Sequence, residues 1–195
     1  MVKKCIGINL LIFLISVCFN AHAQELSYNK LITTRLVDKV FTHSWVKNSF
    51  RTSPDNRRVA FVVEDGAKSF VDIDGIEGNR YEKIKVDSLG FSPDCKHIAY
   101  AARNVRWFMV VDGKEGKGYD EILDGTPHFS QDGRHLVFVA RSGDKWWVVI
   151  DGKEDTQYDA KVDIEGGSLA FDNPDRFHYL FIRDQNIYYV NEKIY

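Results

Sequence analysis

Apolar and polar stretches follow one another along this chain in a beat of about 38 residues, and the order within each beat is the same. The second copy is the clearest. His97-Ile98-Ala99-Tyr100-Ala101-Ala102 is an apolar and aromatic run of strand length, Arg103-Asn104-Val105-Arg106 is a polar turn, and Trp107-Phe108-Met109-Val110-Val111 is a second apolar run. Asp112-Gly113 then signals a tight turn, because glycine accepts positive φ without a steric penalty. Tyr119-Asp120-Glu121-Ile122-Leu123 predicts a third strand, and Pro127-His128-Phe129, where the next copy begins, a short fourth.

Three registers recur together. The large aromatic six positions after each opening aspartate is Phe61, Tyr100, Phe138 and Phe181. The turn glycines Gly75, Gly113 and Gly152 are spaced by 38 and 39 residues, and Tyr81, Tyr119 and Tyr158 keep that spacing. Such self-similarity means one supersecondary unit stacked on itself. The apolar runs are continuous rather than alternating, with Trp146-Trp147-Val148-Val149-Ile150 the extreme. A sheet apolar on both faces must be covered on both, and blades packed face to face around an axis achieve this. A sandwich would show one wet face per strand. The expected fold is all-β, a β-propeller-type array of about four four-stranded antiparallel blades, repeating near 52–90, 91–128, 129–170 and 171–195. Residues 24–51 fit the repeat poorly. Their runs Leu31-Ile32-Thr33-Thr34 and Lys39-Val40-Phe41-Thr42 predict one or two strands that lead into the array or close its last blade.

Each copy opens on a short motif. These are Thr52-Ser53-Pro54-Asp55, Phe91-Ser92-Pro93-Asp94, Phe129-Ser130-Gln131-Asp132 and the blurred Phe171-Asp172-Asn173-Pro174-Asp175. With the runs Ile98-Ala99-Tyr100-Ala101 and Leu136-Val137-Phe138-Val139, they resemble the WD40-like repeat of TolB-type β-propellers, whose units open Phe-Ser-Pro-Asp-Gly and continue roughly Ile-Ala-Tyr-Val. The resemblance covers residues 52–195. It implies a propeller and says little of function, since that family includes scaffolds, binding modules and domains attached to peptidases. This chain departs from it at Asn56, Cys95 and Arg176, where the family prefers glycine, at Gln131 in place of proline, and at Asn191-Glu192 in place of the Asp-Gly turn. A six-bladed ring at roughly 39 residues per blade needs about 234 residues, more than the chain holds. An open or incomplete ring is therefore expected over a closed four-bladed one. An open array leaves an apolar blade face at each end, which invites self-association or a partner.

The first 23 residues read differently. Lys3 and Lys4 precede an apolar stretch, and Ala21-His22-Ala23 places small residues at the cleavage-specifying positions, so residues 1–23 are expected to be a secretory signal peptide cut before Gln24. The apolar stretch is shorter than the roughly 20 residues that span a bilayer. Ile15-Ser16-Val17-Cys18 resembles a lipoprotein site, but Val17 is bulky where a small residue is wanted. Cleavage would take Lys3 and Lys4 and move the formal charge from −2 to −4. That mild acidity argues against nucleic acid as a partner. It would also leave Cys95 as the sole cysteine, so no internal disulfide is expected in the oxidising compartment that the signal implies.

Candidate chemistry is sparse. Asp55, Asp94, Asp132 and Asp175 recur at the opening turns, where carboxylates ordinarily accept hydrogen bonds from their own turn. His97, His135 and His178 lie three positions later, with Arg58 in the first copy. Equivalent positions on separate blades diverge, so metal ligation is not expected. The segment Asp72-Ile73-Asp74-Gly75-Ile76-Glu77 lacks the remaining ligands of a calcium loop. Trp45, Trp107, Trp146 and Trp147 are assigned to packing between blades, with Trp147 the one that would reach the rim. Cys95 occupies a turn position suited to glycine and has no evident base. There is no nucleophile elbow, His-Glu-x-x-His helix or phosphate-binding loop.

The expected function is that of an exported, non-catalytic scaffold without cofactor or metal, periplasmic or secreted and free of a membrane span once cleaved. Its partner would be another envelope protein or a second copy. Candidate interaction loops are residues 114–117, 141–145 and 153–157, with Lys114, Arg141, Trp147 and Lys153 the residues of choice. A glycan or peptide hydrolase, its remnant, or a fragment of a longer propeller are the alternatives.

Overall fold

The computed structural model describes residues 44–158, 169–183 and 185–195. The expected signal peptide and residues 24–43 lie outside them.

Three small hydrogen-bonded devices recur with the repeat and explain where strands begin and end. The first is the Ser-x-Asp opening. Ser53, Ser92 and Ser130 are fully buried. Each donates its hydroxyl to the aspartate two positions on, at 2.6, 2.6 and 2.8 Å. Each also accepts the backbone N–H of the residue five positions on, at 2.9–3.0 Å for Arg58, His97 and His135. The second is the Asp-Gly turn. Asp74, Asp112 and Asp151 adopt φ of 50–55°, and one carboxylate oxygen of each takes the N–H of Val59, Ile98 or Leu136 at 2.8–3.0 Å. The third is a short turn before each opening. Ser49 and Ser88 bond the carbonyl three positions back, as Thr126 does, at 2.6 Å. The Ser49 and Ser88 hydroxyls also accept the N–H of Val62 and Ala101 from the neighbouring strand. These devices satisfy backbone groups that would otherwise be buried unpaired.

Between them run four antiparallel sheets in chain order. The first holds β1 (Ser44–Trp45), β2 (Arg51–Thr52), β3 (Val59–Asp65), β4 (Lys68–Ile73) and β5 (Ile76–Glu77). The second holds β6 (Lys83–Ile84), β7 (Gly90–Phe91), β8 (Ile98–Arg103), β9 (Trp107–Val111) and β10 (Lys114–Glu115). The third holds β11 (Glu121–Ile122), β12 (His128–Phe129), β13 (Leu136–Ser142), β14 (Lys145–Ile150) and β15 (Lys153–Tyr158). The fourth has β16 (Ala170–Asn173), β17 (Arg176–Arg183) and β18 (Asn186–Lys193). Two sequence expectations change here. The first three sheets have five strands rather than four, because the third device splits one edge strand in two. The predicted third strand, Tyr119–Leu123, is also divided: Tyr119 bridges back to Trp107 of β9, whereas Glu121 and Ile122 pair forward with β13. The described part of the segment before residue 52, β1 and β2, pairs with β3 of the first sheet. In the last copy Asn191 and Glu192 continue β18 where the earlier copies turn.

The sheets bury one another. Along β8, Ile98, Tyr100 and Ala102 pack against Ala60, Val62 and Val71 of the first sheet, while Ala99 and Ala101 pack against Leu136 and Phe138 of the third. Val137, Val139 and Val148 of the third sheet meet Phe177 and Tyr179 of the fourth. Strand alternation sends neighbouring residues to opposite faces, so both faces must be apolar, as the continuous runs require. Each fully buried large side chain contributes roughly 1.5–3 kcal/mol. The fold is all-β and propeller-type. Among the described residues no packed cluster joins the fourth sheet to the first, so the array is open or incomplete.

Candidate functional site

The two ends of the array differ. On the first sheet, the face turned away from the second carries Phe61, Val63 and Phe70, all buried, with Trp45 packed on them. The Trp45 ring meets Phe61 at 6.0 Å, edge to face, and the Arg80 guanidinium lies 4.7 Å from the Phe70 ring centre. The expectation of a bare face at each end is therefore met at one end only.

Among the described residues nothing packs on the outer face of the fourth sheet. Phe177, Tyr179 and Phe181 turn toward the third sheet. Leu180 and Ile182 alternate with them, and their cross-strand partners are Tyr189 and Ile187. Directly opposed residues share a face, so these four form one outward patch. Their exposures are 41% for Leu180, 42% for Ile182, 70% for Ile187 and 60% for Tyr189. His178 and its partner Asn191 border it, and Arg176 with Lys193 close the far end. β18 is also the free edge of its sheet among the described strands.

The inner face of the same sheet is fastened by a polar cluster. The hydroxyls of Tyr158 and Tyr179 bond each other, and Tyr179 donates to Glu192 at 2.6 Å, with Thr156 at 3.2 Å. Burial, more than any other influence, pushes the Glu192 carboxyl above its ordinary value. Partial burial, then Glu192 and Tyr158, push the Tyr179 hydroxyl far up.

The residues singled out in sequence do not form one surface. Lys114 and Lys153 are exposed just past the Asp-Gly turns. Arg141 lies toward the opposite end of the third sheet, bonded to Glu121 at 3.3 Å and to the Gly143 carbonyl at 3.0 Å. Trp147 is half-buried against the core between the second and third sheets. Asp55, Asp94 and Asp132 are engaged in their own turns, whereas Asp175 lies 3.3 Å from Arg134. Arg58, His97 and His135 each hold the second oxygen of an Asp-Gly carboxylate, at 2.9, 2.7 and 2.7 Å. That explains why a basic side chain recurs there. His178 instead lies 2.9 Å from Asp172. No cluster of three or more His, Cys, Asp or Glu among the described residues could hold a metal ion. No helix among them is long and apolar enough to cross a membrane.

The four-residue patch was not named from sequence. Its signal was the pair of apolar runs Tyr179-Leu180-Phe181-Ile182 and Ile187-Tyr188-Tyr189-Val190.

The sheets and their face-to-face packing define the class, an open or incomplete β-propeller array. No protein-family model and no curated protein matches the chain. Solved structures similar to it include TolB from Acinetobacter baumannii, at 14% identity and a TM-score of 0.45, over 74% of this chain and 40% of that one. Another is the β-propeller domain of the Trilobed protease from Pyrococcus furiosus, described as having an open velcro topology, at 14% identity and a TM-score of 0.49, over 78% and 57%. A third is an acylaminoacyl peptidase from Pyrococcus horikoshii, at 17% identity and a TM-score of 0.46, over 75% and 31%. The likeness is one of fold alone, and the chain spans between 31% and 57% of those structures.

Proposed function

We propose that this protein is an exported, non-catalytic scaffold that associates with a second copy of itself through the outer face of β16–β18. The observation that carries this is the patch of Leu180, Ile182, Ile187 and Tyr189, exposed where the corresponding faces of the first three sheets are each covered by the next. A surface of that kind favours a sheet as its cover. The matching cover within another copy is the same patch, because the outer face of the first sheet is already occupied by Trp45. The patch itself carries no charge, with Arg176 and Lys193 confined to one end, so two copies meet there without like-charge opposition. The free edge of β18 adds backbone groups that a second strand can pair. Export rests on the signal-like residues 1–23, and a non-catalytic role on the engagement of Asp55, Asp94 and Asp132 within their own turns.

Sedimentation equilibrium tests the association. A dimer with a Kd in the range of about 1–100 µM is expected, and Ile187→Lys should return it to monomer without lowering thermal stability. A monomer at all concentrations up to about 1 mM, or a dimer indifferent to Ile187→Lys and Leu180→Ser, overturns the proposal.

A further inference from the structure

A cleft of about 580 Å³ opens between the second and third sheets at their Asp-Gly-turn end, away from the bare face of β16–β18. Its apolar floor is made by Met109, Val111, Leu136 and Phe138. Tyr119 also lines it, only 1% exposed, and its hydroxyl has no hydrogen-bond partner among the described residues. A buried polar group left in that state calls for an explanation.

The repeat supplies half of one. Tyr158, the equivalent tyrosine one unit later, bonds the hydroxyl of Tyr179 across its blade junction. Tyr81, one unit earlier, makes no well-formed hydrogen bond either, but Tyr100 and Glu115 face its hydroxyl. Tyr119 instead meets the edge of Phe138, at 6.0 Å between ring centres, where a hydroxyl is lacking. Burial first, and Glu154 second, hold the Tyr119 hydroxyl at about 12, so near neutrality it is a proton donor. Glu154 does not line the cleft and is held by Lys117 at 2.7 Å.

The charges around the mouth supply the rest. His97 is paired with Asp112, His135 with Asp151, and Arg134 with Asp132 and Asp175. Lys114 lies directly opposite Val111 on β9, so it shares the face that looks into the cleft. Glu115 borders the cleft as well, but it lies opposite Val110, which packs against the first sheet, and its carboxylate is engaged toward the Tyr81 hydroxyl. Lys114 is thus the cation on the cleft side that no carboxylate neutralises among the described residues.

We propose that this cleft binds an amphipathic monocarboxylate, with its aliphatic body on Met109 and Phe138 and its headgroup between the Tyr119 hydroxyl and the Lys114 ammonium. The volume falls in the range of small-molecule sites, and an apolar lining with few convergent polar groups is their usual composition. The site is independent of the surface through which copies associate.

Titration calorimetry of the purified protein with decanoate tests this. One saturable site with a Kd of about 0.1–1 mM is expected for a ligand of that size. Tyr119→Phe keeps the ring and should weaken binding about fivefold. The same change should raise the melting temperature of the ligand-free protein, because an unpartnered buried hydroxyl is removed; a merely structural hydroxyl would lower it. Lys114→Gln should weaken binding about threefold. Ile187→Ser, on the bare face of the fourth sheet, should leave binding unchanged. Absence of saturable binding, equal affinity in Tyr119→Phe or Lys114→Gln, or loss of binding in Ile187→Ser overturns the proposal.

Discussion

The carboxylate of Asp94, in the opening turn of the second blade, fills the space that a side chain at Gly133 in the third blade would need. Gly133 is also held at φ of 75°, where residues with a Cβ are strained. Both effects fall on one position, so Gly133→Ala is expected to destabilise the protein by about 2 kcal/mol. Urea denaturation measures it, and a change below about 0.5 kcal/mol would show that the junction yields easily.

The equivalent position one blade earlier is Cys95, at φ of 64°. Relief of left-handed strain by glycine is worth about 1–2 kcal/mol, against roughly 0.5–1 kcal/mol of added unfolded-state freedom. Cys95→Gly should therefore stabilise the protein by about 0.5 kcal/mol. A lower melting temperature for this variant would mean that the thiol contributes packing or bonding that outweighs the strain.

The Ser92 hydroxyl, more than any other contact, holds the Asp94 carboxyl down to about 2 from the usual 3.8, with the backbone N–H and the ammonium of Lys96 adding to it against the opposite pull of burial. A carboxyl lowered on folding stabilises the folded state above its unfolded value, and that contribution is lost as pH falls through its folded value. Stability should thus decline between pH about 4 and 2. Ser92→Ala leaves the partly buried N–H of His97 without its hydroxyl acceptor and should cost about 1–2 kcal/mol at neutral pH. Its deficit should shrink toward pH 2, because most of the stabilisation from the lowered carboxyl is lost as pH approaches its folded value. Melting curves at stepped pH for the two proteins check the convergence.

Asp112 uses one oxygen for the Ile98 N–H and the other for the His97 ring. Asp112→Ala removes both and should cost about 2 kcal/mol. Asp112→Asn keeps an acceptor oxygen and tolerates positive φ, so it should cost less than about 1 kcal/mol, as should His97→Ala, which removes an exposed pair alone. Equal destabilisation by all three would assign the turn's stability to the ion pair rather than to the backbone bond.

Much of the architecture was legible along the chain. Strand length, Asp-Gly turns and the shared spacing of Tyr81, Tyr119 and Tyr158 are local or periodic signals, so copied units and sheets apolar on both faces could be read directly. Less local features were hidden. The hydroxyls of Ser49, Ser88 and Thr126 recur at the same spacing, but a serine carries no apolar signal, and so the split edge strands went unpredicted. The run Tyr119–Leu123 suits either neighbouring sheet, and the folded chain shares it between them, Tyr119 bridging Trp107 of β9 and Glu121–Ile122 pairing with β13.

Periodicity alone made the chain an array of blades, because backbone geometry and apolar run length act over a few residues at a time. Which faces stayed open depended on three-dimensional packing. Trp45 covers the first sheet, nothing among the described residues covers Leu180, Ile182, Ile187 and Tyr189, and Phe138 deprives Tyr119 of a partner. Contacts between residues tens of positions apart leave no trace in the local pattern, and those contacts separate a filled blade junction from a candidate binding surface.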